Sequence, residues 1–398
     1  MATPTDPHLR AAEPIGPVEV GPVAHGGHCV ARHEGRVIFV RHTIPGETVM
    51  VRLTDTTHER FWRGDAVEIL QPSPDRVTPV CPVAGPGQCG GCDFQHVSLQ
   101  AQRDLKTAVV AEQLHRLAGI NWPGAVEDVS TEETRDGLRW RTRMRYHVSS
   151  TGKVGLHAHR SQQVIPLPAE GCAIAGPDTV DVTTRSFPPG AELITASGSL
   201  AVDGRLVVGA PMVHERAAGR DWAVHVDGFW QTHPAAAGTL VDAVLSGLEP
   251  REGDSAFDLY CGVGLFTGAL ADRGCEVWAV EHSKAAVRAA HLNLTDVAKQ
   301  VHLRAGRVER QLARMPARTD LVVLDPPRSG AGRAVLSEIA ARRPRAITYV
   351  ACDPAALARD LGTAAGLGYV ATSIRAFDLF PMTHHIECVA TLRPASKS

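Results

Sequence analysis

Hydrophobic and polar positions change their period several times along the chain, and each change marks a region. From about Val18 to Leu70 short β-branched runs, GGHCVARHEGRVIFVRH, ETVMVRL and WRGDAVEIL, alternate with polar positions and are punctuated by Gly and Pro. That period of two predicts a small barrel of five strands. QPSPDRVTP then reads as a proline-rich linker. From Gln100 to Leu117 the period lengthens: Leu105, Val109, Val110, Leu114 and Leu117 recur at the spacing of helical turns, which predicts a helix. A second β-rich region runs from about Leu138 to Val226. Beyond Gly228 the strand-like runs become almost wholly apolar, in CEVWAVE, TDLVVLD and AITYVAC, each followed by helical or turn-forming sequence. Such a pattern predicts a doubly wound α/β, Rossmann-like domain that carries ligands at the carboxyl ends of its strands. Three domains result: a barrel over 10–72, a central β-rich domain over 73–227 and the α/β domain over 228–394. The tail RPASKS is expected to fray.

Composition narrows this picture. Across 398 residues, 44% hydrophobic and 21% charged, no window approaches a membrane span, and MATPTDPHLR has no apolar signal core, so a cytoplasmic protein without a membrane partner is expected. A formal net charge of -2 does not announce a nucleic-acid binder, and any basic surface has to be local. Nine cysteines without a secretory signal argue for metal or catalytic thiols over a disulfide framework.

The α/β half is organised around AFDLYCGVGLFTG, Ala256 to Gly268, where an apolar run ends in Asp258 and turns through Gly262 and Gly264. The next glycine comes one position too late for a dinucleotide fingerprint, which favours S-adenosylmethionine over a nicotinamide. Glu281, at the end of the following strand, is placed to accept the ribose hydroxyls of an adenosine. Asp325 opens DPPR, a rigid lip after a strand; Arg328 stands where amine methylases carry a base-stacking aromatic residue, which argues against amine methylation.

Two thiol groups carry further chemistry. Cys81, Cys89 and Cys92 share the loop CPVAGPGQCGGC, and Cys172 lies in AEGCAIAGP. Four thiolates close a metal site, and iron–sulfur, zinc and free thiols all remain open on spacing alone. Cys352 ends ITYVAC ahead of a helix, where the positive helix end is expected to lower its pKa for nucleophilic work. Glu387 opens MTHHIECVATLRP, expected as a last strand antiparallel to its neighbours, which brings it to face Cys352. A thiolate, a carboxylate base and a methyl donor at one edge fit methylation of uracil C5 through addition of sulfur to C6, with Asp325 holding the uracil or cofactor edge. In LRWRTRMRYHV strict alternation puts Arg139, Arg141, Arg143 and Arg145 on one face, a phosphate-binding surface unless acids from elsewhere pair with them.

These residues resemble the RNA uracil-5-methyltransferases: DLYCGVGLFTG, DPPRSG, YVACDP with ALARDL, and FDLFPMTHHIE follow in the family's order over the C-terminal half. GRVIFVRHTIPGETV resembles the TRAM RNA-binding module. The resemblance implies Cys352 as nucleophile, Glu387 as proton acceptor, and Gln231, Tyr260, Gly262, Gly264, Glu281 and Asp325 as the S-adenosylmethionine site. It further implies a [4Fe-4S] cluster, in preference to zinc, on Cys81, Cys89, Cys92 and Cys172. A monomer acting on 23S ribosomal RNA is favoured over one acting on transfer RNA, because transfer-RNA members generally lack the barrel and the cluster. The chain departs from the family in its longer gap from Cys81 to Cys89, His233 for asparagine, Arg307 for an acid near the adenine site, and Met382 for a frequent histidine. Two other classes compete: a non-catalytic RNA-binding protein that senses redox state through its cysteines, and a nicotinamide oxidoreductase resting on the glycine turn.

Overall fold

The alternating runs at the start of the chain do close on themselves. The computed structural model describes residues 13–395. The segment MATPTDPHLR and residues 396–398 of the tail lie outside the described residues, while Arg393 and Pro394, expected to fray, finish the last strand. Backbone contacts group the chain into two units. One comprises residues up to Val109, Glu132–Val207 and Phe380–His385; the other comprises Val110–Thr131, Val208–Leu379 and the chain from Ile386 on.

In the first unit, strands Ile15–Ala24, His28–His33, Arg36–Arg41, Phe61–Gln71 and Thr48–Asp55 are neighbours in that order and form a closed barrel. Alternate residues, among them Val20, Ile38, Val40, Val49 and Val51, point inward and are buried. Closure pairs every strand and leaves no edge for another chain. The central region forms a six-stranded sheet ordered Arg205–Val208, Ser199–Val202, Glu192–Ala196, Arg143–Val148, Val154–His157 and Val164–Pro166. Leu138, Trp140, Ile174, Cys92 and Met382 make a separate buried cluster in the same unit.

The expected face of four arginines does not form. The strand starts only at Arg143, because Arg139 takes a φ of +55° that breaks the alternation. Arg139 pairs with Asp136 at 2.5 Å, and Arg145 pairs with Glu192 of the adjacent strand at 2.8 Å. Arg143 is buried. The acids that neutralise this run therefore come from a turn and from a neighbouring strand.

The expected helix over Gln100–Leu117 is observed as Leu99–Ala118, with Leu105, Val109, Val110 and Leu114 buried. In the second unit eight strands form one sheet in the order Val301–Ala305, Glu276–Glu281, Ser255–Leu259, Leu321–Leu324, Ala346–Ala351, Glu387–Pro394, Tyr369–Phe377 and Val126–Glu127. LVVL and AITYVA are buried along their whole length, as strands covered on both faces must be. The first five run parallel, and Glu387–Pro394 enters antiparallel beside Ala346–Ala351. A hairpin of Met212–Ala217 and Arg220–His225 is tied to the same unit by Arg220, which pairs with Asp272 and Asp296. Among the described residues no helix is long and apolar enough to cross a membrane.

One buried ion pair pins the end of the barrel. Glu47, fully buried, accepts from Arg76 Nε at 2.5 Å and Nη2 at 2.6 Å, from Ser73 N at 3.1 Å and from Ile44 N at 2.9 Å. Burial pushes its pKa up, but these donors outweigh burial and leave it below the usual carboxylate range. Glu47→Gln is expected to cost about 3–5 kcal/mol of stability at neutral pH, since it strands the Arg76 charge. A depressed pKa stabilises above the unfolded value and loses that effect as pH falls through the folded one. The deficit, read from urea midpoints, therefore narrows in acid.

Candidate active site

Strand Ser255–Leu259 leads into the glycine turn, where the backbone passes through Tyr260 (φ +68°), Gly262 (φ +56°) and Gly264 (φ +98°) before helix Leu265–Ala271. A side chain at Gly264 would meet Leu294 Cδ1 at 2.8 Å, so both conformation and space require glycine there. Glu281 ends the neighbouring strand and is fastened to this turn: its Oε2 accepts from Gly262 N at 3.1 Å and its Oε1 from Ser283 N at 2.6 Å. Each oxygen keeps a further lone pair for a ligand hydroxyl. Burial, with Glu309 and Asp360 nearby, pushes the Tyr260 phenol up to about 12, so it stays a donor. Gln231 is buried in the segment before helix Ala236–Leu248, beside His233, whose Nδ1 accepts from Ala235 N at 3.1 Å. Burial lowers the His233 imidazole to about 4, against the pull of Asp378 and Asp128, and keeps it neutral.

Register brings the second pair together. Ala351 pairs with Cys388 across the antiparallel strands, so one step beyond, at the carboxyl end of Ala346–Ala351, Cys352 faces Glu387. Glu387 is buried and pairs with Phe377 on its other side. Asp325, immediately after Leu321–Leu324, is bonded through its N–H to Leu259 O at 3.2 Å. Three acids thus gather at one sheet edge. Burial, then Asp258, pushes Asp325 up to about 7; burial pushes Asp258 itself up to about 7, against a 2.6 Å bond from Thr267 Oγ1. Glu387 lies well above the usual carboxylate range, raised by burial and Asp325 and opposed by Arg328.

The expectation of a lowered Cys352 pKa is corrected here. Burial, then Glu387 and Asp325, pushes the thiol up to about 11, with Arg328 opposing. Helix Pro354–Gly366 does begin beside it, but the first-turn amide of Ala356 is already capped by the Asp353 side chain at 2.7 Å. Two carboxyl neighbours and desolvation outweigh the helix end.

Sequence reasoning missed the groups that hold the DPPR lip. Asp360 Oδ2 accepts from Ala331 N at 2.8 Å, Gly332 N at 3.2 Å and Tyr349 OH at 2.7 Å. It caps the segment after Arg328 from inside the next helix but one. ALARDL was noted as a motif, and its lone acid at a buried helical position was the available signal. Arg328 was read only as an absent aromatic, whereas it is the cation that opposes the rise of both Cys352 and Glu387.

Cys81, Cys89, Cys92 and Cys172 belong to the first unit. Cys89 Sγ accepts from Gly91 N at 3.4 Å, Cys81 N donates to Gln95 Oε1 at 2.9 Å, and Gly90 packs so closely on His159 that a Cβ would fall 2.7 Å from its nitrogen. Burial raises the thiols of Cys89, to about 11, and of Cys92 and Cys172; each feels the charge of others in the set. An all-sulfur donor set that repels itself when ionised suits a bound cation. Among the described residues, however, no three His, Cys, Asp or Glu side chains stand ready-made around a metal position.

Comparison with known proteins decides the family. A family model described as "tRNA (Uracil-5-)-methyltransferase" matches residues 212–394, and a TRAM domain model matches residues 16–67. A Streptomyces avermitilis protein described as an uncharacterized RNA methyltransferase is 46% identical over 96% of this chain and 98% of its own. A Streptomyces coelicolor protein of the same description is 48% identical over 96% and 93%. The chain belongs to the RNA uracil-5-methyltransferase family. It is therefore an S-adenosylmethionine-dependent RNA methyltransferase with a TRAM domain at the barrel. The Pyrococcus abyssi tRNA (uracil-54, C5)-methyltransferase, solved in complex with S-adenosyl-L-homocysteine, shares the fold at a TM-score of 0.70 and 22% identity, over 94% of this chain and 99% of that one.

Within this methyltransferase the departure at Met382 has a local explanation. Met382 joins the cluster of Trp140 and Ile174, and its N–H donates to Gln102 Oε1 at 2.8 Å, so an apolar side chain suits the position. Arg307 stands at the start of the short helix Val308–Gln311 without a capping bond. The electrostatics of the sheet edge yield a direct measurement. At neutral pH Cys352 should alkylate with iodoacetamide about a hundredfold more slowly than a free cysteine, with the rate climbing toward pH 11. In Glu387→Gln the profile should move to lower pH, because one of the charges that raises the thiol is gone; peptide mapping of the modified protein reads both.

Proposed function

We propose that the chain transfers a methyl group from S-adenosylmethionine to C5 of a uridine in structured RNA by way of a covalent bond between Cys352 and C6. The observation that carries this reading is the register that sets Cys352 against Glu387 beside the glycine turn. Uracil C5 is a weak nucleophile. Addition of Cys352 Sγ to C6 moves the ring π electrons toward C5 and O4, and C5 then forms the new carbon–carbon bond. Glu387 removes the C5 proton, the electrons return to the ring, and the sulfur–C6 bond breaks. S-adenosylmethionine would supply the electrophilic methyl group, its sulfur–methyl bond breaking as C5 takes the methyl and S-adenosylhomocysteine leaving. Gln231, Tyr260, Gly262, Gly264, Glu281 and Asp325 hold it, with Glu281 already oriented by two backbone amides. Arg328 offsets the negative charge that thiolate and carboxylate bring to the edge. A uridine stacked in a helix has to be turned out of the stack to reach Cys352.

Cys81, Cys89, Cys92 and Cys172 would hold a [4Fe-4S] cluster, the all-thiol donor set being the support for it. The substrate read first is 23S ribosomal RNA, with the enzyme acting as a cytoplasmic monomer. Transfer RNA is the second reading: the matching family model bears a transfer-RNA description, and an enzyme of that class from Pyrococcus abyssi shares the fold over nearly the whole chain. The barrel and central sheet thus do not discriminate between the two targets.

Incubation with S-adenosylmethionine and unmodified 23S ribosomal or transfer RNA should yield 5-methyluridine in one of them. Cys352→Ala should abolish it, and retained activity would sink the mechanism. Glu387→Gln should slow turnover by about 10²–10⁴ and accumulate a protein–RNA adduct that survives denaturing electrophoresis, because elimination then lacks its base. Independently, protein purified without oxygen should carry iron and acid-labile sulfide, and Cys89→Ser should lose both; zinc in their place would overturn the cluster assignment.

A further inference from the structure

The outer face of the barrel has a feature that the chemistry above does not use. A cavity of about 980 Å³ opens there in the first unit, at the upper end of the size usual for ligand pockets. Barrel strands build one wall, and Pro86–Gln88 of the cysteine loop, the turn Ala158–Arg160 and His384 complete it. Cross-strand register lines up two rows on the barrel side: Phe39, Arg63 and Asp55, and next to it Arg41, Asp65 and Arg52. The aromatic rings form a ladder, with His28 edge-on to Phe39 at 4.7 Å, Phe39 edge-on to Phe61 at 5.2 Å and His58 stacked on Phe61 at 4.4 Å. Arg63 lies 4.9 Å over Phe61.

Charge in this cavity is out of balance. Arg41 is neutralised by Asp93 at 3.0 Å, Asp65 lies in register between Arg41 and Arg52 and has a partner of its own, and among the described residues Arg63 has Asp55 alone, at 3.6 Å, which it shares with His58. Arg160 is exposed and, like Arg52, has no carboxylate partner among the described residues; the Nε of Arg52 is buried with no hydrogen bond. The strain is felt by neighbours: His28 is lowered to about 4 by burial, then by Arg63, Arg160 and His384. Its imidazole is consequently neutral, a flat face and a hydrogen-bonding edge without charge.

We propose that this cavity receives an unpaired nucleotide of the RNA substrate, its base against Phe39 and His28 and its phosphate against Arg63 and Arg160. Guanidinium forks match phosphate oxygens, and aromatic faces take up bases that are out of a helix. A duplex presents its phosphates on a convex surface with its bases stacked inside and does not enter a concavity of this size. The proposal rests on RNA being the substrate, but concerns other side chains than Cys352 and Glu387.

The test uses the full chain and fluorescein-labelled hexauridylate, with an abasic backbone of the same length as comparison, followed by fluorescence anisotropy. Wild type should bind hexauridylate more tightly than the abasic strand. Phe39→Leu, which keeps apolar contact, and Arg160→Ala, at an exposed position, should each weaken hexauridylate binding by about fivefold or more. Arg160→Ala should also flatten the salt dependence by about one unit of slope. Arg185→Ala, exposed and outside the cavity, serves as control and should bind as wild type. Equal affinity for the abasic strand would reduce the site to attraction of any polyanion, and unchanged binding in both cavity variants would remove it; either result overturns the proposal. Methyl transfer measured alongside separates the two readings: cavity variants should raise the RNA KM and leave kcat near wild type, whereas wild-type protein that binds RNA without methylating it overturns the uridine chemistry alone.

Discussion

Everything at the sheet edge depends on one strand entering the wrong way round. Four of the five parallel strands deliver Asp258, Glu281, Asp325 and Cys352 at or beside their carboxyl ends. A parallel strand in the next position would bring its last residue to that edge, as its neighbours do. Glu387–Pro394 runs antiparallel, so its first residue, not its last, reaches the edge, and the register with Ala346–Ala351 sets that residue against Cys352. A slip by one residue would turn Glu387 to the other face of the sheet. The strand is buried on both faces from Glu387 to Leu392, so a slip would exchange side chains of different size between two packed faces, which makes it costly.

The same packing sets the resting charge. Asp258, Asp325 and Glu387 are all raised, because desolvated carboxyls close together cannot all ionise. Cys352 is raised with them. Burial and the neighbouring acids thus favour the uncharged forms of both groups, and Arg328 opposes the rise of each. The cost of making either group an anion falls when a second positive charge joins Arg328 at this edge. On the proposed chemistry, a sulfonium donor bound at this edge would ease ionisation of Cys352.

Much of this was legible in the sequence, and the parts that were not share a cause. The five-stranded barrel, the helix over Leu99–Ala118, the glycine turn and the reversed last strand all announce themselves by period and punctuation within one segment. The arginine run misled because its neutralising acid, Glu192, is brought by strand pairing from 47 positions away. The direction of the Cys352 shift was likewise out of reach: the sequence places Glu387 and Asp325 near the thiol, but burial, the largest cause of the rise, is set only by the assembled sheet. Asp360 stands out only as a lone acid in ALARDL, since its acceptor role exists once the lip and the helix meet. Period reveals elements, whereas charge balance is a property of their assembly.

That distinction bears on why a catalytic edge of a few side chains comes with so large a first unit. Reaching C5 of a stacked uridine requires unpairing and unstacking, a cost of a few kcal/mol before any bond changes. Contacts with the uracil alone repay it poorly, because they are the same contacts that have to tighten in the transition state. Binding energy gathered on parts of the RNA that do not react is free of that conflict. A cationic, aromatic cavity on the barrel can supply such energy without touching the reacting base, and it does so most effectively for RNA that is already unpaired. On the proposed chemistry, preference among RNAs then arises from the shape and looseness of the strand around the target, while Cys352 and Glu387 select only for a pyrimidine that can accept sulfur at C6.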